Sequence, residues 1–357
     1  MIYTKQELCC LVEELREDAE LAQLASEAAE KSLYTVTRKR HILPDGGTPH
    51  DYVSIAPYWW PDPEKADGLP WIRRDGEKNP AFYEYDAATL HDFTACTDAL
   101  ILGGLACNRS DWLERAAMQL TNWFITPSTK MNPNMRYGEF VPGRCDGRCF
   151  GIIDVKYIGW LFELVELMPF SDLWTPEKLQ LLREWALAML DWLLADKLGV
   201  EEGNTLNNHA INYDCTVAML ALFVNRREVA VRQLRERSIP RIAEQFAPDG
   251  SMPLELERTD SKGYSTFGLR CFMQAAAMGR RIGVEFPSEP LRRALEWLEA
   301  NVNSSQWKWR QIVPFEGISP MVYQFAGMFF DEQSLIERAK AASRHPWQRM
   351  IEWRSAK

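Results

Sequence analysis

The sequence of 357 residues contains no long apolar run. No uncharged stretch reaches the roughly 20 positions that a membrane-spanning helix needs. A net charge of −9 excludes a broadly basic surface, so nucleic acid is not expected as a partner. The N-terminal segment, residues 1–20, is acidic and amphipathic, without the basic start or small-residue cleavage site of a secretory signal. These absences predict a cytoplasmic protein without a membrane partner.

Cysteine is sparse and scattered: the 8 cysteines are spread along the chain, as is typical of free thiols in a reducing compartment. Cys145 and Cys149 lie close together in GRCDGRC, but a structural zinc needs two more ligands, and no nearby Cys–His pair offers them. The chain also lacks a Gly-rich phosphate loop, a nucleophile elbow and a zinc-protease motif. We therefore expect neither a metal nor another cofactor. The oligomeric state is left open.

Helical periodicity dominates what the chain does contain. Strand signals are few and do not alternate with helices, so the pattern predicts an all-α fold, an α/α toroid or incomplete α/α barrel of helical hairpins. We interpret residues 1–357 as one such domain, with an N-terminal helix in residues 1–35 and a loop segment lining the cleft in residues 36–84.

The helical patterns have clear start signals in places. Thr4, Asp111 and Thr175 occupy expected N-cap positions, and Thr175 is followed by proline at the first helical position. The predicted helices lie at residues 5–31, 86–106, 111–124, 151–168, 175–198, 209–225, 227–247, 264–283, 289–302 and 332–342.

Two long irregular segments, residues 50–80 and 132–151, are rich in aromatic and arginine side chains. Loops of this length in compact domains are often functional, and this composition suits a cleft for acidic sugars. Alternatively, the loops cap the ends of the helical barrel and bury their aromatic rings. The candidate substrate-binding residues in them are Trp59, Trp60, Arg73, Arg74, Arg144 and Arg148.

Four polar groups farther along the chain fit a particular reaction. Asn208 and His209, preceded by Asn207, open an apolar run, and Arg258 and Tyr264 follow about fifty residues later. Amide, imidazole and guanidinium donors can hold a carboxylate and stabilise the enediolate that forms when the neighbouring carbon loses its proton. A tyrosine, with an ordinary pKa of about 10, can remove that proton if positive charge lies beside it.

Each of these residues also has a structural explanation. Asn207 and Asn208 can cap the helix that starts near His209, and a histidine at a helix start often serves as a structural hydrogen-bonding group. Arg258 can pair with Glu255 or Glu257 as a surface charge. Tyr264 can be a core residue that opens the next helix.

Several ordered segments resemble the alginate lyase superfamily of bacterial uronate lyases. They read DYVSIAPYWWPDP and GLPWIRRDGEKNP near residue 60, PGRCDGRCFGIID near residue 148, NNHAINYD from residue 207 and PLELERTDSKGYS from residue 253. The Arg-to-Tyr spacing is similar to that of polysaccharide lyase family 38 and also to that of family 5. Both groups have helical α/α barrel folds, in agreement with the periodicity.

The resemblance implies roles for the four polar groups. Asn208 and His209 would bind and neutralise the substrate carboxylate, Arg258 would share that task, and Tyr264 would act first as base and then as acid. The arginines at 144 and 148 resemble paired family arginines that would bind neighbouring carboxylates. Tyr213, on the same helix face as His209, would line the cleft, and the tryptophans at 59 and 60 would stack on a sugar ring.

The expected function is therefore a polysaccharide or oligosaccharide lyase that cleaves uronate chains by β-elimination, with an acidic saccharide as its partner. One tyrosine suffices when the proton and the leaving oxygen lie on the same side, which predicts mannuronate or glucuronate, in alginate-like or glucuronan-like chains, rather than guluronate. The alternatives are a glycoside hydrolase on a helical toroid, which would use a pair of acidic residues, and a non-catalytic protein that binds acidic sugars.

Overall fold

The computed structural model describes residues 1–351. Its composition is 59% helix and 4% strand, which confirms the predicted all-α class. Contacts within the described residues divide the chain into two compact units, one formed by Tyr3–Val200 and the other by residues 201–351 together with Met1–Ile2. The interpretation of the chain as a single domain stays a prediction.

The unit formed by Tyr3–Val200 is built around one buried helix. Its α-helices are α1 (Lys5–Glu14), α2 (Ala19–Glu30), α3 (Asp86–Ala106), α4 (Ser110–Leu120), α5 (Val155–Val165) and α6 (Pro176–Ala195). Helix α3 is buried on almost every side and packs against α2, α4 and α5. Apolar side chains occur on every side of this helix, which also buries Asp86, His91 and Asp98, and α3 supplies the centre of this unit.

Short strands and turns complete this unit. The strands are β1 (Val53–Ile55), β2 (Trp59–Trp60), β3 (Ile72–Arg73) and β4 (Tyr137–Phe140). Strand β1 pairs in parallel with β4, and β2 pairs antiparallel with β3, so that Trp59 lies opposite Arg73. Single-turn 3₁₀ and π segments occur at Pro80–Glu84, Thr121–Ile125 and Cys149–Asp154. The segment 36–84, expected to be irregular, therefore carries three of the short strands.

The second unit contains the predicted catalytic residues. Helix α7 (Lys197–Gly203) leads into it, and the helices that follow are α8 (Asn208–Phe223), α9 (Arg227–Gln233), α10 (Ile239–Gln245), α11 (Pro253–Leu256), α12 (Ser261–Ile282), α13 (Ser288–Asn301), α14 (Pro320–Phe330) and α15 (Gln333–Ala342). Helices α8 and α12 are largely buried and pack against each other, and α12 also packs against α13 and α14. The start of α8 and the start of α12 carry the polar residues of interest.

Several predicted boundaries are wrong for identifiable reasons. The expected helix 5–31 is broken into α1 and α2, because the Asp18 side chain caps a new helix by accepting from Leu21 N–H at 2.9 Å. Asp111 is not a cap: α4 already begins at Ser110, and the Asp111 carboxylate accepts from the Arg109 guanidinium at 2.6 and 2.8 Å. Thr4 and Thr175 do cap their helices, as predicted.

The expected helix 227–247 is interrupted by a π-helical turn at Leu234–Ser238. Pro240 follows at once and lacks the N–H that a continuous α-helix would need at that position. Helix α14 was not predicted from the sequence. It is almost wholly apolar and so lacks the alternation of polar and apolar faces that marks a surface helix.

Candidate active site

Asn207 begins the site as the N-cap of α8. Its side-chain Oδ1 accepts a hydrogen bond from the backbone N–H of His209 at 3.2 Å. This bond satisfies one of the N–H groups that a helix start leaves without a partner. The capping explanation therefore holds for Asn207, and its contact with a substrate stays a prediction.

Asn208 is held by a buried carboxylate rather than by the helix start. Its backbone N–H and its side-chain Nδ2 each donate to one oxygen of Glu255, both at 2.6 Å. Both carboxylate oxygens need donors, so the contact fixes which way the amide points. Asn208 is fully buried, and its Oδ1 has no hydrogen-bond partner within residues 1–351. An amide oxygen left in this state is costly unless something else satisfies it.

Glu255 is the point at which the predicted residues meet. Its side chain belongs to α11 and is only 1% exposed. Burial raises the pKa of the Glu255 carboxyl, while the hydrogen bonds from Asn208 and the positive charges of Arg258 and His209 lower it. The Glu255 carboxylate thus interacts, through hydrogen bonds or charge, with all three residues that are predicted to neutralise the substrate.

His209 is oriented by a second buried carboxylate. Its Nδ1 lies 2.7 Å from Oε1 of Glu202, whose side chain is fully buried at the end of α7. A carboxylate at this distance accepts a hydrogen bond from Nδ1–H, which leaves Nε2 as the nitrogen that can gain or lose a proton. This arrangement sets the imidazole plane and its tautomer before any ligand binds.

Arg258 and Tyr264 are in direct contact. A terminal guanidinium nitrogen of Arg258 donates to the Tyr264 hydroxyl at 2.8 Å, and Cζ of Arg258 lies 3.9 Å from the centre of the phenol ring. Both side chains are partly exposed. Positive charge at this place stabilises a phenolate relative to a phenol, as the predicted role of Tyr264 as a base requires.

The backbone explains how two residues six apart meet. The Asp260 side chain caps α12 by accepting from Gly263 N–H at 3.2 Å, which places Tyr264 in the first turn. A Cβ at Gly263 would lie 2.3 Å from Oδ2 of Asp260, so glycine is the residue that this cap allows. The chain between Leu256 and Ser261 turns at this cap, and Arg258 folds back over the phenol.

The turn before Asn207 is held by arginines from α10 and the adjoining π segment. Arg237 and Arg241 both donate to the carbonyl oxygen of Gly203. Arg241 also forms a buried ion pair with Asp214, with Nε 2.8 Å from Oδ2. Tyr213 packs beneath this turn, is 5% exposed and has its pKa raised by burial. A protonated, buried phenol fits a structural position, and the predicted place of Tyr213 in the cleft stays a prediction.

The remaining candidates meet in the other unit, around the strands β2 and β3. The guanidinium groups of Arg144 and Arg148 lie 5.0 and 5.7 Å from the ring centre of Trp59, and that of Arg74 lies 5.2 Å from Trp60. These distances are those of cation–π contacts. The loops thus form one aromatic and cationic surface.

The arginines of this surface also make polar contacts within the same unit. Arg144 Nε donates to the Trp71 carbonyl at 2.6 Å, Arg148 pairs with Glu139 at 3.0 Å, and Arg73 pairs with Asp75 at 2.6 Å. Their predicted contacts with substrate stay predictions.

Two functional candidates, Glu202 and Glu255, were not predicted from the sequence as members of the site. Glu255 was considered only as an ion-pair partner of Arg258, and Glu202 is one of two adjacent glutamates in an acidic stretch. Within residues 1–351, no cluster of His, Cys, Asp and Glu could hold a metal ion. No disulfide joins any of the eight cysteines, all of which lie in this range. No helix of the described chain is long and apolar enough to cross a membrane.

A separate open groove of about 780 Å³ lies along α13 and the end of α14. Its arginines are already neutralised, because Arg280 pairs with Asp331 at 2.8 Å and Arg292 pairs with Glu332. None of the predicted site residues lines it. The groove therefore gives no argument for a catalytic role.

Comparison with solved structures identifies relatives of the whole chain. An alginate lyase from Bacteroides ovatus is similar at 28% identity and a TM-score of 0.89, over 98% of this chain and 97% of that one. Alginate lyase A1-III from Sphingomonas species A1 shares 12% identity with a TM-score of 0.54, over 96% of each chain. A variant of alginate lyase A1-III in complex with a tetrasaccharide has 12% identity and a TM-score of 0.50, over 86% of this chain and 82% of that one.

These likenesses confirm the predicted fold class, the α/α toroid of the alginate lyases. No curated protein sequence matches the chain. The sequence profile of the alginate lyase family matches residues 35–307, a range that includes all four predicted catalytic residues. With this match over most of its length, the chain belongs to the alginate lyase family of polysaccharide lyases.

Proposed function

We propose that the protein cleaves mannuronate-containing or glucuronate-containing chains by β-elimination. The observation that carries the proposal is the 2.8 Å hydrogen bond from Arg258 to the Tyr264 hydroxyl. This contact supports a phenolate at Tyr264 next to a guanidinium group, which also suits a carboxylate. The charge of Arg258 also acts on Glu255, whose carboxylate accepts from Asn208. The relatives are alginate lyases, and one of them is in complex with a tetrasaccharide.

The proposed reaction begins when the Tyr264 phenolate removes the proton on C5 of the uronate. The electron pair of that bond moves first onto the carboxylate as an enediolate and then into a C4–C5 double bond. The C4–O bond breaks, and the departing oxygen takes the proton from Tyr264. The phenolate is thereby restored, and no water or cofactor is consumed.

Asn208, His209 and Arg258 would lower the barrier at the enediolate. One donor aimed at charge that develops in the transition state contributes about 3–4 kcal/mol. Asn208 is suited to this because one amide N–H is committed to Glu255 and the other is not needed there. Asn208 is fully buried beside Glu255, so it would act on the carboxylate only once binding of the substrate exposes its amide. His209 would contribute through Nε2, because Nδ1 is committed to Glu202.

The hydrolase alternative finds no support in the same region. A glycosidase needs two carboxyl groups that flank the scissile bond. Glu255 accepts two hydrogen bonds from Asn208, and Glu202 is hydrogen-bonded to Nδ1 of His209, so both carboxylates are already committed to residues of the proposed site. Their arrangement is that of supports for other side chains rather than of groups that reach a sugar.

A substrate screen tests the proposal. The purified protein is incubated with polymannuronate, glucuronan, polyguluronate and short oligomers of each, and ultraviolet absorbance and product mass are followed. We expect an absorbing unsaturated uronate, lighter by one water than a hydrolysis product, from mannuronate or glucuronate chains and much less from guluronate. Products of hydrolytic mass without new absorbance would contradict elimination.

The cellular location belongs to the proposal as well. We propose that the enzyme acts in the cytoplasm on acidic saccharides that have entered the cell, as the sequence predicts. Fractionation of the producing cells with a specific antibody tests this, and recovery of the protein outside the cytoplasmic fraction would contradict it.

A further inference from the structure

A second surface, at the start of α12, has no part in the mechanism above. Trp307 and Trp309 come from the segment that joins α13 to α14, and they meet Trp297 of α13. The ring centres of Trp307 and Trp309 are 4.8 Å apart. The ring centre of Trp297 lies 6.0 Å from that of Trp307 and 5.7 Å from that of Trp309. All three side chains are only partly buried. The cluster therefore keeps part of its aromatic surface open to solvent.

Lys262 and Phe315 extend this cluster. The Lys262 ammonium lies 5.4 Å from the ring centre of Trp307 and 5.6 Å from that of Phe315. We call Lys262, Trp307, Trp309 and Phe315 the tryptophan patch. It combines apolar ring faces with a cation, all from the second unit.

The tryptophan patch is fastened to the backbone that carries the catalytic residues. The Trp307 indole N–H donates to Ser261 Oγ at 3.0 Å, and the Ile312 N–H donates to the Thr259 carbonyl at 2.9 Å. Ser261 and Tyr264 are three apart on α12, so their Cβ atoms are neighbours at roughly 5–6 Å. Trp307 is thereby fixed to the first turn of α12, the turn that also carries Tyr264.

The charge of the patch is not neutralised by the protein. Within residues 1–351, neither Lys262 nor the adjoining Lys308 and Arg310 forms an ion pair with a carboxylate. In a chain of net charge −9, three such cations around exposed rings are suited to an anion that also has an apolar face. A uronate ring has both: C–H groups on its faces and a carboxylate at its edge.

We propose that the tryptophan patch is a binding subsite for a second uronate ring of the chain being cleaved. The inference rests on the proposed function and deepens it. The sugar face would pack on Trp309 and Phe315, and its carboxylate would pair with Lys262. The family profile ends at residue 307, so most of the joining segment lies beyond the part of the chain that the family profile describes. The subsite would accordingly set how this enzyme depends on substrate length.

Calorimetric binding of tetramannuronate and tetraglucuronate to a Tyr264→Phe protein tests the inference, because ligand is then not consumed. In that background we expect Lys262→Met to weaken binding about ten-fold, as loss of a charged hydrogen bond does. Trp309→Ala should weaken it about three-fold or more. Lys340→Met is the matched control: it removes the same charge from an exposed site on α15 and should leave the affinity unchanged.

The outcomes separate the two proposals. If Lys262→Met and Trp309→Ala, folded by circular dichroism, bind both tetrasaccharides as tightly as the Lys340→Met control, the subsite is overturned. If the unmodified enzyme produces no unsaturated product while binding still depends on Lys262, the proposed function fails and the subsite stands. Absence of binding by every variant and by the unmodified enzyme overturns both.

Discussion

Buried carboxylates orient the two residues at the start of α8. Glu255 accepts from the backbone and the side chain of Asn208, and Glu202 faces Nδ1 of His209. Neither glutamate is accessible to a polymer, since their exposures are 1% and 0%. In the proposed mechanism their role is therefore positional: they orient the amide and the imidazole that would bind the substrate carboxylate.

Replacing Glu255 by glutamine tests this positional role. The NH₂ group of the glutamine would replace one carboxylate oxygen and would face an N–H group of Asn208. Two donors cannot bond each other, so the asparagine would shift or turn. We expect kcat to fall on the order of 10²-fold, as misplacement by about 1 Å can cause, with a smaller change in KM. Steady-state elimination kinetics measure this.

Glu257→Gln, an exposed neighbour on the same segment, is the control and should behave as the unmodified protein. Equal losses in the two variants, or an unchanged kcat in Glu255→Gln, would show that Glu255 does not position Asn208.

The contacts at this scale differ in how well the sequence predicts them. Arg258 and Tyr264 are six apart, within reach of one turn, and the sequence allows their contact to be anticipated. Asn208 and Glu255 are separated by 47 positions, and local pattern carries no information about which glutamate of LELER meets the asparagine. That choice depends on how α8 and α11 pack.

At the scale of elements, the site depends on where α12 begins. Asp260 fixes that point by accepting from Gly263 N–H, and its Oδ1 also accepts from the Gln311 side chain at 2.6 Å. The cap thus ties the catalytic helix to the segment that carries the tryptophan patch. Loss of the cap would loosen the first turn, where Tyr264 is located.

Asp260→Ala should therefore reduce both stability and activity. Loss of an N-cap side chain costs about 1 kcal/mol, and a frayed first turn would lower kcat about ten-fold by displacing the phenol. Thermal unfolding and elimination kinetics measure the two effects. Asp260→Asn keeps a capping oxygen and should retain most of both. If Asp260→Ala unfolds and turns over as the unmodified protein does, the cap does not position Tyr264.

Helix existence was easier to predict than helix ends, and the reasons are local. Side chains such as Asp18 start a new helix inside a continuous amphipathic pattern, and Pro240 lies beside a π-helical turn in another. Helix α14 has no polar face to reveal its period. The starts of α8 and α12, where polar caps stand before apolar runs, lie within a few residues of their predicted places.

At the scale of the whole molecule, stability is expected to depend on pH through a carboxyl in the core of the first unit. Asp98 in α3 is 2% exposed, and its Oδ1 accepts no hydrogen bond from the described residues. Burial raises its pKa well above the ordinary value of 3.8. The folded chain therefore keeps a proton on Asp98 at pH values where the unfolded chain has lost it.

The sign of the effect follows from this difference in bound protons. Stability falls as the pH rises from the ordinary pKa toward the raised one, by about 1.4 kcal/mol per pH unit for one proton. Asp98→Asn carries no titrating group at this position. Its melting temperature should therefore fall less than that of the unmodified protein as the pH rises over that range. Asp92→Asn on the same helix, where the carboxyl is less buried, is the control. An identical decline in all three proteins would refute the assignment to Asp98.

The proposed function of the molecule depends on one phenol oxygen, and Tyr264→Phe removes only that atom. Release of unsaturated uronate from polymannuronate and glucuronan by this variant is the most direct measurement, read alongside calorimetric affinity for the corresponding tetrasaccharides. Our account predicts that elimination falls by at least about 10³-fold, the scale expected when a catalytic base is lost, while the affinity stays within a few-fold of the unmodified enzyme. Elimination at an unchanged rate in Tyr264→Phe would contradict it.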